Sequence, residues 1–415
     1  MAMNKEVVGI VVGGGPAPGI NGVISAVTIE AINHGKKVVG IVGGFNALFD
    51  GNDNAIVPLT IEDVSRIHNT GGSILRTSRG TPEEPKEKFK TLMAMLKRAG
   101  IRYLVSIGGE GSLFVAHWIE KEARGTLSVV HVPKTIDNDI PLPGGFSTFG
   151  YQTARHVGVE IVQNLMEDAR TMGRWYFIST MGRHAGHLAL GIGKAAGVTI
   201  TLIPEEFPAG EISLQRLADI LAGSVIKRLS MGKDHGVAVF AEGISERLNP
   251  DVIHNVCGGT DRDTMGRIRL SEIPLASILK ESTTQTLKEF GIHTGIVGKD
   301  IGYELRAANP IPFDTEYTRN LGYGAIHYLI RGGTGSIMVP VEGYIRPVPF
   351  VEMFDYHTGE VKIRRVDIQS ETYEVAREYM IRLEKPDLEG ELLKTLAKVV
   401  NLTPEKFRER FSYVV

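Results

Sequence analysis

The chain of 415 residues holds a single cysteine, Cys257. One thiol excludes a disulfide framework and a cysteine-based zinc site, and it suits a reducing cytoplasm. Neither charge is in excess. The 46 Lys and Arg stand against 48 Asp and Glu, for a formal net charge of -2, so no global basic field points to nucleic acid as a partner. No apolar stretch is long enough to span a bilayer. The apolar run 7–12 ends in glycines and is too short for the core and cleavage site of a secretory signal. Repeats at a solenoid period and low-complexity segments are also lacking. The 49 glycines are the abundant feature, and they cluster after apolar runs. The length suits two or three domains, and the glycine loops are where ligand chemistry is expected.

The stretch Pro133-Lys134-Thr135-Ile136-Asp137-Asn138-Asp139 carries the most chemistry. It follows a strand-like run, 127–132, and sends two carboxylates, a hydroxyl and a lysine out of a strand end, where open α/β proteins bind ligands. One carboxylate could accept a proton while the other holds a metal. The same residues also suit an acidic turn, because Asp and Asn favour caps and turns.

The run 6–12 reads as a fully buried strand. Gly13 to Asn21 and then a helix from about 22 to 34 follow. Strand, glycine loop and helix make a phosphate-binding layout, because backbone N–H groups and the helix dipole face the anion. The loop has neither the GxGxxG nor the GK[ST] pattern. A strand over 37–42, a helix over 61–68 and a polar loop over 71–79 come next. A helix over 87–99 and a strand over 101–107 then lead into Gly108-Gly109-Glu110-Gly111-Ser112. A carboxylate among glycines at a helix start suits Mg²⁺ beside phosphates. Successive parallel strands with right-handed crossovers bring all these loops to one sheet edge.

A long amphipathic helix over 148–172 precedes a second α/β unit. Its strand over 174–180 leads to Met181-Gly182-Arg183, and further strands are expected over 199–203 and 236–240, the last ending at Glu242. Gly302-Tyr303-Glu304-Leu305-Arg306 opens the return to the first unit, with a helix over 315–330. The tail is expected to hold strands over 336–340 and 362–366 and two charged helices. The fold class is α/β: two Rossmann-like three-layer α/β/α units with mostly parallel sheets, plus a C-terminal extension. The expected domains are 1–147 with about 306–335, 148–305, and a tail 336–415 that completes or extends them.

Taken together, the segments 14–21, 108–112, 133–139, 181–183, 242–243 and 302–306 resemble the 6-phosphofructokinase superfamily, whose members phosphorylate fructose 6-phosphate from ATP or pyrophosphate. The resemblance spans about residues 8–325. It implies Asp137 as the base toward the sugar's 1-hydroxyl, Thr135 against the transferred phosphoryl group and Arg183 stabilising its charge. Such a reaction asks the protein mainly to position and to neutralise. It implies Glu110 and Asp139 as holders of Mg²⁺. Gly14, Gly15, Arg79, Gly108, Gly109, Glu110, Gly111, Ser112 and Lys134 would cradle the donor phosphates. Thr135, Ile136, Asp137, Met181, Gly182, Arg183, Glu242, Glu304 and Leu305 would line the sugar phosphate, and Tyr303 and Arg306 would hold its 6-phosphate. Arg174 matches an arginine that reaches that phosphate from a neighbouring subunit, which implies a homodimer or homotetramer.

The match has departures. Many members have Asp at Glu110 and His at Tyr303, and the arginine some supply near position 297 is replaced here, with Lys299 as the candidate substitute. Ser25 and Ile29 stand where short bacterial members carry effector-binding arginines, so no ADP or phosphoenolpyruvate regulation is expected. Pyrophosphate-type members usually pair Asp at the Gly111 position with Lys at the Lys134 position. Asp there would crowd and repel an α-phosphate, whereas Gly111 has no side chain. On that ground ATP is the expected donor and pyrophosphate the alternative. A kinase for another sugar phosphate or nucleoside is the next reading, and a binding-only protein is disfavoured by the three intact carboxylates. A dinucleotide enzyme lacks its fingerprint.

Overall fold

The computed structural model describes residues 6–78, 85–257 and 270–415. Its strands are β1 (Val7–Val12), β2 (Lys37–Ile41), β3 (Ile56–Leu59), β4 (Ile101–Gly108), β5 (Ser128–Thr135), β6 (Phe149–Gly150), β7 (Arg174–Thr180), β8 (Ile200–Leu202), β9 (Gly236–Ala241), β10 (Gly295–Ile301), β11 (Ser336–Val341) and β12 (Tyr344–Pro349). The chain divides into two compact units. Unit 1 comprises Met1–Ala154 and Tyr303–Arg364, and unit 2 comprises Arg155–Gly302 and Arg365–Val415.

The sheet of unit 1 runs β12-β11-β5-β4-β1-β2-β3, with β6 beside β5. The pairs β5-β4, β4-β1 and β1-β2 are parallel, while β3 and β12 run antiparallel at the two rims. The near-continuous apolar run of β1 follows from burial on both faces. Alternation divides it: Val8, Ile10 and Val12 pack with the helices Ile20–Asn33 and Pro312–Ile330. Val11 packs with Lys86–Arg98 and Glu110–Ala123 on the other face. Prolines punctuate both rims: Pro58 lies in β3, and Pro347 and Pro349 lie in β12.

Unit 2 has a four-stranded parallel sheet in the order β10-β7-β9-β8. Its core centres on Trp175, Phe177, Phe240 and the helices Leu214–Ser230 and Leu275–Glu289. Leu383, Leu388, Leu393, Leu396, Phe407 and Phe411 from the end of the chain complete that core.

Several expected boundaries move. The tail is shared between the units: β11, β12 and the segment up to Arg364 go to unit 1, and 365–415 goes to unit 2. It holds three helices, Glu371–Glu378, Gly390–Val399 and Pro404–Phe411, against the two expected. The strand expected over 362–366 does not form; Val361 makes one bridge to Phe354 and the chain then turns inward. The helix expected over 61–68 is one turn, Ile61–Val64, started by a Thr60–Asp63 capping box. Only Val64 of that turn is buried, so no apolar face extends it. The strand β10 was not anticipated. Its exposed and intermediate positions mark it as a sheet edge, where an apolar run is not required.

Candidate active site

In unit 1 three glycine-bearing loops meet at the carboxyl ends of β1, β4 and β5. Gly108 and Pro133 are register partners, so Glu110 and Asp137 leave neighbouring strands at the same edge. Gly13 donates its N–H to Ile107 at 2.8 Å, and Gly14, with φ of 79°, donates to Ser78 at 2.9 Å. A methyl group on Gly13 would lie 2.1 Å from Ser112 Oγ, and one on Gly108 would lie 2.3 Å from the same atom. These two glycines therefore leave room for the Ser112 side chain to lie against both backbones at the head of the loop. Glu110, Gly111 and Ser112 form the first turn of Glu110–Ala123, whose amino terminus favours an anion.

Lys134 is buried and donates its ammonium to the carbonyl of Gly15. Its Nζ lies 3.1 Å from where a Gly14 side chain would begin. Arg306 reaches the same corner, with Nη1 2.9 Å from the corresponding point on Gly15, and its guanidinium stacks on Tyr303 at 4.7 Å. Of the four substrate residues expected over 303–306, Arg306 lies against the Gly15 loop, Tyr303 and Glu304 are exposed, and Leu305 is fully buried. The Leu305 side chain belongs to the core, not to a ligand surface. Arg79 lies outside the described residues.

The Asp137 loop is tied to the sheet. The Asp137 N–H donates to Thr135 Oγ1 at 3.0 Å, and Ile136 is buried beneath the loop. Asn138 has φ of 58°, a left-handed conformation that Asn adopts more readily than most residues. Its Oδ1 accepts from the Thr148 N–H at 3.1 Å, and Thr148 Oγ1 donates to the Thr135 carbonyl at 2.8 Å. Burial pushes the Asp139 carboxyl up. Its own backbone N–H, the Thr135 hydroxyl and the charges of Arg364 and Lys134 oppose the rise.

Arg364 explains the inward turn of the tail. Its Nε donates to the Asn138 carbonyl at 3.0 Å, Nη1 to the Phe146 carbonyl at 2.8 Å and Nη2 to Asn138 Oδ1. Asp314 anchors the start of the next helix, accepting from the Gly150 and Thr153 N–H groups at 2.9 and 2.8 Å and from the Thr153 hydroxyl at 2.6 Å. Sequence reasoning missed Asn138, Thr148, Arg364 and Asp314. The only local signal was an Asn between two aspartates.

In unit 2 the carboxyl ends of β7, β9 and β10 converge likewise. Gly182 has φ of 134°, and its carbonyl accepts from the Gly243 N–H at 3.1 Å. A methyl group on Gly243 would meet the Arg183 carbonyl at 2.3 Å, and one on Gly302 would meet Met181 at 2.9 Å. Met181, Gly182, Arg183 and Glu242 are thus brought together, with Arg183 Nε 3.5 Å from Glu246. Arg174 opens β7 at the opposite end from Met181, about 20 Å away at the usual strand rise. There its Nε donates to Asp168 at 2.9 Å, and Tyr176 donates to the same carboxylate at 2.7 Å.

The family model described as Phosphofructokinase matches residues 7–329. A Thermotoga maritima protein named pyrophosphate--fructose 6-phosphate 1-phosphotransferase is 53% identical over 411 residues, covering 98% of each chain. A Naegleria fowleri protein of the same name is 45% identical over 421 residues, covering 99% of this chain and 96% of its own. A solved pyrophosphate-dependent phosphofructokinase from Marinobacter aquaeolei shares the fold, with a TM-score of 0.66 at 16% identity, covering 96% of this chain and 92% of its own. With the glycine loops, the Asp137 loop and the Met181–Arg183 turn built as described, this chain belongs to the phosphofructokinase family.

Proposed function

We propose that the protein transfers a phosphoryl group from pyrophosphate to the 1-hydroxyl of fructose 6-phosphate, giving fructose 1,6-bisphosphate. The observation that carries this reading is the identity of 53% over 98% of the chain to a relative named for that donor. The names of the relatives support pyrophosphate over the ATP expected from Gly111. A missing side chain removes a clash with an α-phosphate, but it supplies no contact to a nucleoside and so permits ATP without selecting it. Lys134, fixed between Gly14 and Gly15, suits a donor that is all phosphate.

In this reading Asp137 accepts the proton of the 1-hydroxyl as the phosphoryl group arrives. The N–H groups of Glu110–Ser112, the Lys134 ammonium and Arg306 neutralise the donor. Thr135 orients the transferred group, and Arg183 draws off its charge. Glu110 and Asp139 are hard oxygen donors that fit Mg²⁺, and the desolvated Asp139 gains most from a nearby cation. When bound, the ion would supply charge neutralisation for the donor oxygens. Met181, Gly182 and Glu242 shape the acceptor side. Arg174, at the far end of β7, would serve a neighbouring subunit of a homodimer or homotetramer.

Steady-state kinetics with fructose 6-phosphate and each donor test the reading. A higher kcat/KM with pyrophosphate is expected, and a higher value with ATP overturns it. A panel of other sugar phosphates checks the acceptor.

A further inference from the structure

We infer that Arg364, from the C-terminal extension, is a positioning residue that sets the conformation of the Asp137–Asp139 loop. The inference deepens the phosphoryl-transfer reading and rests on it for its kinetic consequence. Asn138 sits between the two acids in a left-handed conformation, so the direction in which each carboxylate leaves the chain depends on holding that one residue. Neither strand pairing nor a glycine does so. Arg364 places three guanidinium donors on three acceptors of the loop: the Asn138 carbonyl, the Asn138 side chain and the Phe146 carbonyl. Its own N–H donates to the Asp139 carbonyl at 2.6 Å. The residue therefore grips the chain on both sides of the peptide that joins Asn138 to Asp139. Only a planar fork with donors at fixed angles meets three such acceptors together. The anchor is firm on the other side as well. Val361 is buried in the core, and the Lys362 N–H donates to the Met353 carbonyl at 2.8 Å.

Arg364→Ala and Arg364→Lys test this, with kinetics and hydrogen exchange of the peptide spanning 136–148. For Arg364→Ala we expect kcat lowered by roughly 100-fold, KM for the sugar phosphate within a few fold, and faster exchange across 136–148 with protection unchanged elsewhere. Arg364→Lys keeps the charge without the fork, and it should recover only part of kcat and part of the protection. Unchanged exchange across 136–148 in Arg364→Ala, or an undiminished kcat, overturns the inference. So does loss of protection throughout unit 1 in both variants. A wild-type enzyme that turns over fructose 6-phosphate with neither donor overturns the functional reading instead, and the exchange arm still decides whether Arg364 holds the loop.

A separate observation assigns a metal site to the helix pair Ile20–Asn33 and Pro312–Ile330. Glu30, His34 and His327 bring their ligand atoms within 4.8 Å of one another. Glu30 Oε1 lies 3.4 Å from His34 Nδ1, near the roughly 3.3 Å edge of a tetrahedral site with bonds of about 2.0–2.1 Å, while its 2.7 Å approach to His327 Nε2 and the 2.9 Å from His34 Nδ1 to the Glu30 carbonyl are hydrogen bonds that a bound ion would replace. Two imidazoles and a carboxylate suit Zn²⁺ or a similar borderline divalent ion. The Tyr323 ring, 4.1 Å from that of His327, fixes one ligand. Micromolar Zn²⁺ should raise the Tm of the wild type and show one site by calorimetry, and His34→Ala and His327→Ala should abolish both effects. No shift in the wild type, or an equal shift in the variants, overturns the assignment.

Discussion

The two units bury carboxylates by different means. In unit 1, Asp314 is held by backbone N–H groups and a hydroxyl, and Asp139 by the Thr135 hydroxyl with cations nearby but no close ion pair; burial raises both. In unit 2, three acids at the chain-end helices are sealed by cations, while Glu205 accepts from the Gly186 and Val366 N–H groups. Asp219, with no exposure at all, takes both terminal nitrogens of Arg410, the Tyr413 hydroxyl and Gln215. Glu206 takes Arg382, and Asp387 takes Lys227 at 2.6 Å. A carboxylate locked by a dedicated cation is neutralised once and has little left to offer a ligand. One held by neutral donors can still respond to a cation or a proton. The contrast therefore separates Asp139, which keeps the capacity to meet a cation, from the acids that hold the chain-end helices onto unit 2.

The largest expected effect tests the working side. Asp137→Ala should lower kcat by about 10³-fold or more while sugar-phosphate binding, followed by calorimetry, stays within a few fold. An active variant removes the base assignment. Arg183 sharpens the contrast from within unit 2, where its Nε lies 3.5 Å from Glu246 beside the Met181–Arg183 turn. Arg183→Ala should lower kcat by roughly 100-fold, whereas the same change at Arg382 should leave kcat of the folded enzyme unaltered. A third test concerns the sealed acids. Asp219→Ala strands the Arg410 charge and should cost about 3–5 kcal/mol in urea unfolding, with specific activity per folded molecule preserved; a loss of kcat instead would blur the division.

The last and most gradual effect is a pH dependence. His131 is buried in β5 between the Ser106 hydroxyl and the Gly108 carbonyl. Burial pushes its pKa down to about 3. The unfolded chain, with a histidine near 6.5, binds the proton first, so this group costs no stability above about pH 6.5. As pH falls from 6.5 toward 3 it removes stability at up to about 1.4 kcal/mol per pH unit. His131→Asn should flatten that limb of the stability–pH curve, and an unchanged slope would mean that other groups set it.

Most of the parallel strands were legible because burial on both faces demands apolar runs, and those of β1, β2, β4 and β9 are followed closely by glycines; the edge strand β10 lacked such a run. The donor loop and the Asp137 stretch were legible for the same reason: Gly, Lys, Thr and Asp at a strand end have few other uses together. Arg364 was not. It meets Asn138 across 226 residues, and nothing in Lys362-Ile363-Arg364-Arg365 marks which arginine turns inward; the alternation there read as a strand. The division of the tail was hidden because Leu383, Leu393 and Phe407 are ordinary apolar helix positions whose partner face lies elsewhere in the sequence. The donor was not legible in Gly111, because selectivity is a difference of affinities, and one absent side chain reports only one side of it.

The prolines at the rims of the larger sheet have a consequence for association. Phe350 turns its N–H toward β11, onto the Gly335 carbonyl. Alternation then directs the N–H positions of 345, 347 and 349 away from the sheet. Pro347 and Pro349 leave two of those three without a donor, and Pro58 interrupts the opposite rim. Such rims cannot template an added strand. Growth of this sheet from one molecule into the next is therefore disfavoured at both rims.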